Sequence, residues 1–180
     1  MKQQFIQPDE WKIIEEGFDP DRVKSSESIF SLGNGAMGHR ANFEEQYTGP
    51  SFQGSYVAGV YYPDKTRVGW WKNGYPDYFA KVLNAPNWIG IDVLVNGEPL
   101  DLNTATIHSF TRVLDMHAGV YTREVVLTTP KGVKLKIKAV RFLAMFQQEL
   151  GCIKYSIQLY EQGAELSVSP YVDGHIKNID

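Results

Sequence analysis

A single cysteine, Cys152, excludes an internal disulfide framework and a cluster of thiolate metal ligands. No run in the sequence approaches the roughly 18 apolar residues that a helix needs to cross a bilayer, so a membrane is not an expected partner. Positive charge is not in excess. The formal net charge of −3 and a pI of about 5.8 leave no basic field to gather phosphate backbones, and nucleic acid is excluded on the same ground. The N-terminal stretch MKQQFIQPDEWK has no continuous apolar segment of the secretory kind, which with one lone thiol points to a reducing cytoplasm. Long amphipathic periods are also scarce. The best helical candidate, Asp9 to Phe18 around Trp11 and Ile14, is short. At 180 residues the chain is long enough for one well-filled core and short for two.

What the sequence does have is a period of two. Val133, Leu135, Ile137 and Ala139 alternate with Lys134, Lys136 and Lys138, and Ile153, Tyr155, Ile157 and Leu159 alternate with Lys154, Ser156 and Gln158. Each pattern predicts a strand with one face in a core and the other in water. Ile89, Ile91, Val93 and Val95 run into Asn96-Gly97, the pair that most readily adopts the positive φ angles of a two-residue hairpin turn, with a return strand expected through Leu100 and Leu102. Tyr121 to Thr129 should meet Val133 to Phe142 across Pro130-Lys131-Gly132. Repeated strands joined by Gly, Pro and Asn turns predict two packed antiparallel sheets, an all-β sandwich. The exception is Tyr61 to Trp88, punctuated by Pro63, Gly69, Gly74, Pro76 and Pro86, which reads as a long irregular excursion.

That excursion holds Tyr61, Tyr62, Trp70, Trp71, Tyr75, Tyr78, Phe79 and Trp88 among Asp64, Lys65, Arg67, Lys72, Asn73 and Asp77. Aromatic faces beside forked polar groups suit a sugar, whose C–H faces stack while its hydroxyls need directional partners. The same residues equally suit plain packing of a loop on its sheet, or burial against another domain. Elsewhere the candidates are thin. Gly33, Gly35 and Gly38 satisfy G-x-G-x-x-G, but no helical period follows and Ala58 stands where a ribose-binding acid belongs, so a tight turn between extended segments is expected. Glu44 and Glu45 are adjacent and, on a strand, would point to opposite faces, which denies them an acid/base pairing and marks them as solvated charges. His39, His108, His117 and His175 are scattered, and no metal site is expected from them. The alternating lysines read as a solvated sheet face, and Cys152 as inert filler. Composition and spacing yield no catalytic centre.

Four segments carry a resemblance: ESIFSLGNGAMGHRANFEE, GSYVAGVYYPDKTRVGWW, NAPNWIGIDVLVNGEPLDL and, near the C-terminus, YVDGH. In order and spacing, over nearly the whole chain, they resemble the N-terminal domain of glycoside hydrolase family sixty-five, which contains the inverting phosphorylases of maltose, trehalose and kojibiose. The wording of the aromatic loop is nearest to the maltose-cleaving members. Ala36 stands where the family pattern has a bulkier residue, often Tyr, and Ala41 where it has Gly, which leaves the subfamily open.

The resemblance implies a galactose-mutarotase-like sandwich, incomplete over residues 1–180, that belongs to a larger enzyme with a catalytic (α/α)₆ barrel absent from this chain. It implies a parent reaction in which inorganic phosphate, as co-substrate, cleaves an α-glucosyl disaccharide to β-glucose 1-phosphate and free sugar, with no metal or organic cofactor. The general acid belongs to the barrel, so no catalytic residue is expected here. The implied partners are the chain's own barrel, a second copy in a homodimer and the disaccharide reaching the parent enzyme, with Tyr61, Tyr62, Arg67, Trp70, Trp71, Tyr75 and Tyr78 as the residues expected near the substrate entrance. Three other readings stay open: a stand-alone carbohydrate-binding module, an aldose mutarotase using His108 or His175 with a carboxylate, and a structural scaffold.

Overall fold

The computed structural model describes residues 5–67, 74 and 76–178. The chain begins with β1 (Ile6–Gln7) and β2 (Lys12–Glu16), then a 3₁₀ turn (Pro20–Arg22) leading into the one-turn-plus helix α1 (Val23–Ile29). Short strands follow: β3 (Leu32–Gly33), β4 (Met37–His39), β5 (Ser55–Val57), β6 (Tyr61–Lys65) and β7 (Tyr78–Val82). The second half holds β8 (Ile91–Val95), β9 (Glu98–Pro99), β10 (Thr106–Asp115), β11 (Val120–Thr128), β12 (Lys134–Leu143), β13 (Gly151–Leu159) and β14 (Leu166–Pro170).

Six strands form one antiparallel sheet in the order β1-β2-β10-β11-β12-β13, and β14-β8-β9 form a second. Between them lies the main core. Ile91, Val93 and Val95 from β8, with Leu100 and Leu102 beyond it, meet Phe110, Val125, Leu127, Leu135 and Ile137 of the large sheet. This is the antiparallel sandwich that the period of two predicts. Lys134, Lys136 and Lys138 lie on the opposite face, where Lys136 and Lys138 both pair with Glu124, at 2.7 and 2.6 Å. Cys152 is half-buried and free.

Turn chemistry places the boundaries. Asn96 (φ 52°) and Gly97 (φ 78°) form the tight hairpin between β8 and β9. The return strand is shorter than expected: it ends at Pro99, and Leu100 instead donates its N–H to Val93 and turns its side chain into the core. Gly132 (φ 87°) closes the β11–β12 connection.

The structure corrects two expectations. Asp9 to Phe18 is not helical; Lys12–Glu16 is a strand because Ile13 and Ile14 pair with Leu114 and Val113 of β10, and that long-range ladder overrides a weak local period. The helix lies just downstream. Asp19 caps its 3₁₀ entry by accepting from the Asp21 N–H, and Pro20 supplies the fixed φ of a first-turn residue. The segment after Tyr61 is also not irregular throughout, since Tyr61–Lys65 and Tyr78–Val82 pair as an antiparallel ribbon.

Candidate functional site

The ribbon β6–β7 stands off the sandwich. Its register pairs Tyr61 with Val82, Pro63 with Ala80 and Lys65 with Tyr78, which puts those six residues on one face, and Tyr62 with Lys81 and Asp64 with Phe79 on the other. Nearly every side chain in it is exposed, Tyr61, Tyr62 and Tyr78 each by more than half. Two-stranded ribbons are marginal in water unless a face is packed, and among the described residues neither face of this one is buried.

The Tyr61 face of the ribbon adjoins the body of the domain. The G-x-G-x-x-G segment is the tight turn expected of it: Gly33 pairs with Gly38, and Gly35 adopts φ 91°, open to glycine and costly for other residues. Asn34 fixes this turn from inside by accepting the N–H groups of Ala36 and Met37 at 3.1 and 2.8 Å. The same side chain donates to the carbonyls of Ala144 and Gln148 at 2.7 and 2.9 Å, tying the turn to the loop 144–150. On that loop Met145 is 72 % exposed and Phe146 is 94 % exposed. Between turn and ribbon lies a shallow apolar hollow of about 350 Å³ bordered by Met37, Val57, Val60, Tyr61, Ala80 and Val82. The glycine turn thus shares one hollow with β5 and the ribbon and is tied through Asn34 to the loop 144–150.

Of the residues expected near a substrate entrance, Tyr61, Tyr62 and Tyr78 lie on this ribbon and Arg67 just past β6, exposed. Trp70, Trp71 and Tyr75 lie outside the described residues. Tyr61 and Tyr78 share one face of the ribbon and Tyr62 takes the other. His108 bonds Thr128 at 2.7 Å on the exposed side of β10, and the backbone N–H of His175 bonds Asp173. Among the described residues no group of three His, Cys, Asp or Glu side chains is placed to hold a metal.

The largest departure from the sequence reading is beneath the surface. Glu44 and Glu45 are not solvated: both are buried, because residues 44–45 form a bend rather than a strand and the two carboxylates converge on one arginine. Arg123 donates from Nη1 to Glu45 Oε1 at 2.7 Å, and from Nη2 to Glu45 Oε2 and Glu44 Oε2, each at 2.6 Å. Arg141 Nε sits 2.9 Å from Glu44 Oε1, its Nη2 donates to the Asn42 carbonyl at 2.9 Å, and Tyr155 donates to Glu45 Oε2 at 3.1 Å.

Arg123 and Tyr155 belong to one cross-strand row, and Arg141 lies two residues along β12 from it. Glu15 on β2 is opposite Arg112 on β10, Arg112 opposite Arg123 on β11, Arg123 opposite Ala139 on β12, and Ala139 opposite Tyr155 on β13. Two arginines facing each other in a core would repel; Glu15 neutralises the first at 2.9 Å, and Glu44 and Glu45 the second. Ala139 is short enough to leave room for Glu45, which bonds both neighbours of that position. The arginine planes also lie on rings, Arg112 over Phe110 at 4.9 Å and Arg141 over Tyr121 at 4.6 Å. The row divides the apolar interior into the main core and a smaller cluster of Phe30, Ala41, Leu114 and Tyr121.

Electrostatics follow from this packing. Burial alone would raise the Glu44 pKa, but Arg141 and Arg123 outweigh it and hold the carboxyl below its ordinary range. The Tyr155 hydroxyl is pushed upward by burial and by Glu45. His39 is lowered to about 4, chiefly by burial and then by Arg141; its Nδ1 faces the Arg40 carbonyl at 3.1 Å and so carries the proton, while Nε2 has no partner. The sequence signal for this row existed: arginines at inward positions of strands otherwise apolar on that face, Arg112, Arg123 and Arg141, need buried acids.

Comparisons with known proteins agree with this architecture. The profile of the glycosyl hydrolase family 65 N-terminal domain matches residues 13–180. A maltose phosphorylase from Bacillus subtilis is 44 % identical over 180 residues, covering 100 % of this chain and 24 % of the relative. An alpha,alpha-trehalose phosphorylase from Thermoanaerobacter brockii is 34 % identical over 179 residues, covering 96 % of this chain and 23 % of the relative. Among solved structures, a putative kojibiose phosphorylase from human microbiome superposes with a TM-score of 0.76 at 32 % identity, over 86 % of this chain and 20 % of that one. The chain spans about a quarter of the length of the relatives it matches.

Proposed function

Since the chain belongs to glycosyl hydrolase family 65 as its N-terminal domain, we propose that it is the accessory sandwich of an inverting disaccharide phosphorylase, with maltose as the substrate. One observation carries the reading: 44 % identity to a maltose phosphorylase over all 180 residues of the chain. In the proposed reaction a phosphate oxygen attacks the anomeric carbon of the α-glucosyl unit as the glycosidic C–O bond breaks. A general acid protonates the departing sugar oxygen, and β-glucose 1-phosphate and free glucose result. That acid lies outside this chain, in a catalytic barrel. Inorganic phosphate is the nucleophile, and the step needs no metal or organic cofactor.

The contribution of this domain is assembly. Its aromatic surface, with Tyr61, Tyr78 and Phe146 exposed, supports a role as the face that meets the barrel or a second copy in a dimer, with the ribbon beside the substrate entrance. The test is phosphorolysis by the full-length protein in the cytoplasmic pH range with maltose, trehalose or kojibiose. Release of β-glucose 1-phosphate from maltose is the expected result, and none is expected from the 180-residue chain alone. Failure with every disaccharide would overturn the phosphorylase reading in favour of a carbohydrate-binding module.

A further inference from the structure

Above the buried charge row a second hollow opens, of about 420 Å³, bordered by Glu44, Glu45, Gln46, Gln53, Asn87, Asp92 and Tyr171. It is unlike the apolar hollow beside the ribbon in every chemical respect. Amides, carboxylates and the rings of Phe43, Tyr47 and Tyr171 form its walls, and the two carboxylates in its floor are already neutralised by Arg123 and Arg141.

Asn87 is the informative member. It is only 8 % exposed. Its backbone is clamped on both sides by Asp173, through N–H···O bonds of 2.8 and 2.9 Å, and its Oδ1 accepts the Ile89 N–H at 3.3 Å. Its amide Nδ2 donates to no group among the described residues and is open to the solvent of the hollow, so a rigidly held pair of N–H donors stands at its wall without a protein acceptor. A donor held in place by its own backbone can exchange its water for a ligand oxygen without first being ordered.

The aromatic wall is equally fixed. Tyr171 lies flat against Gly90, where an added Cβ would come within 2.3 Å of its ring, and its N–H bonds the Gly90 carbonyl at 3.0 Å. Gly90 is therefore a glycine by close approach: no other residue leaves the ring where it is. Gln46, Gln53 and Asp92 are exposed, and the side chains of both glutamines make no hydrogen bond among the described residues.

The chemistry selects the ligand. An anion would meet the exposed carboxylate of Asp92, and no three of the described acids or histidines converge on a cation. A neutral polyol fits: its hydroxyls accept from Asn87 and the glutamines and donate to Asp92, while a ring face covers Tyr171. We propose that this hollow is a binding site for a neutral saccharide of one or two hexose units, held by Asn87, Asp92, Gln46, Gln53 and Tyr171.

The experiment is an equilibrium titration of the full-length protein with maltose at millimolar concentration and without phosphate, so that nothing turns over, with glycerol as the control polyol. The expected result is a class of maltose sites that Asp92→Ala weakens about tenfold, the loss of one charge-assisted hydrogen bond. Gly90→Ala, which displaces Tyr171, weakens the same class. Asp92 is exposed, so its variant keeps the fold, and an unchanged unfolding midpoint verifies this. Isotherms of wild type and both variants that superimpose overturn the proposal, as does glycerol binding the same class of sites as tightly as maltose. The phosphorolysis assay is a separate readout: the hollow can fail while the phosphorylase reading stands, and the reverse.

Discussion

His39 and the arginine row make the single residue the scale at which acid sensitivity is decided. His39 is buried neutral, with a folded pKa of about 4 against an ordinary 6.5. Unfolded chains therefore bind the proton more readily, and stability is fully present above pH 6.5 and falls as the pH drops from 6.5 to about 4. At 1.36 kcal/mol per pKa unit the loss is on the order of 3 kcal/mol. Chemical denaturation at a series of pH values should show this slope in the wild type and its absence in His39→Gln. Glu44 acts in a lower window: its folded pKa is depressed, so its contribution is present above the ordinary carboxylate range and is lost as the pH falls through the folded value. A Glu44→Gln variant should flatten the acid limb and leave the slope at higher pH unchanged. Truncation of Arg123 is a harsher test. It leaves Glu44 and Glu45 buried with one guanidinium between them, and Arg123→Ala should lower stability by about 3–5 kcal/mol by urea denaturation.

The longer strands are where sequence and structure agree best. In β11 and β12, and in β13 from Ile153 on, the inward and outward positions alternate without interruption, and Asn96-Gly97 fixes its turn with the two positive φ angles such a pair allows. Gly97→Ala, placing a Cβ at φ 78°, should destabilise by about 1 kcal/mol in a denaturant titration. Short elements were harder to read for a physical reason. Two- and three-residue strands such as β3, β4 and β9 carry too few positions for a period, and β2 is a strand because β10 lies beside it. Asn34 illustrates the same limit, since its partners Ala144 and Gln148 lie more than a hundred residues away. Removing its side chain should loosen loop 144–150 without disturbing the large sheet. Hydrogen exchange in Asn34→Ala should rise at residues 144–150 and stay unchanged in β11 and β12.

For the whole molecule, what could be read of the candidate site divides in the same way. Aromatic density in the ribbon was visible in the sequence, but adjacency alone could not show that Glu44 and Glu45 turn inward together, because a bend and a strand send the same two residues in different directions. Nor could it show what the exposed surface meets. The proposed covering by the barrel or a second copy rests on exposure: Tyr61, Tyr78, Val82, Met145 and Phe146 are all more than half exposed. The paired change Tyr61→Ser with Phe146→Ser discriminates between a surface left open and one covered in the full-length protein. On an open surface, substitutions of this kind shift stability by about 0.5 kcal/mol or less. Under a covering domain or a second copy, each lost aromatic costs about 2 kcal/mol of burial, and the expense falls on the contact rather than on the sandwich. The expected outcome is a full-length protein that separates into an earlier and a later unfolding transition by calorimetry, or that dissociates on sedimentation, with the large sheet unfolding at its original temperature. A single transition at the wild-type temperature, with unchanged mass, would mean that this surface is open to water in the assembled protein.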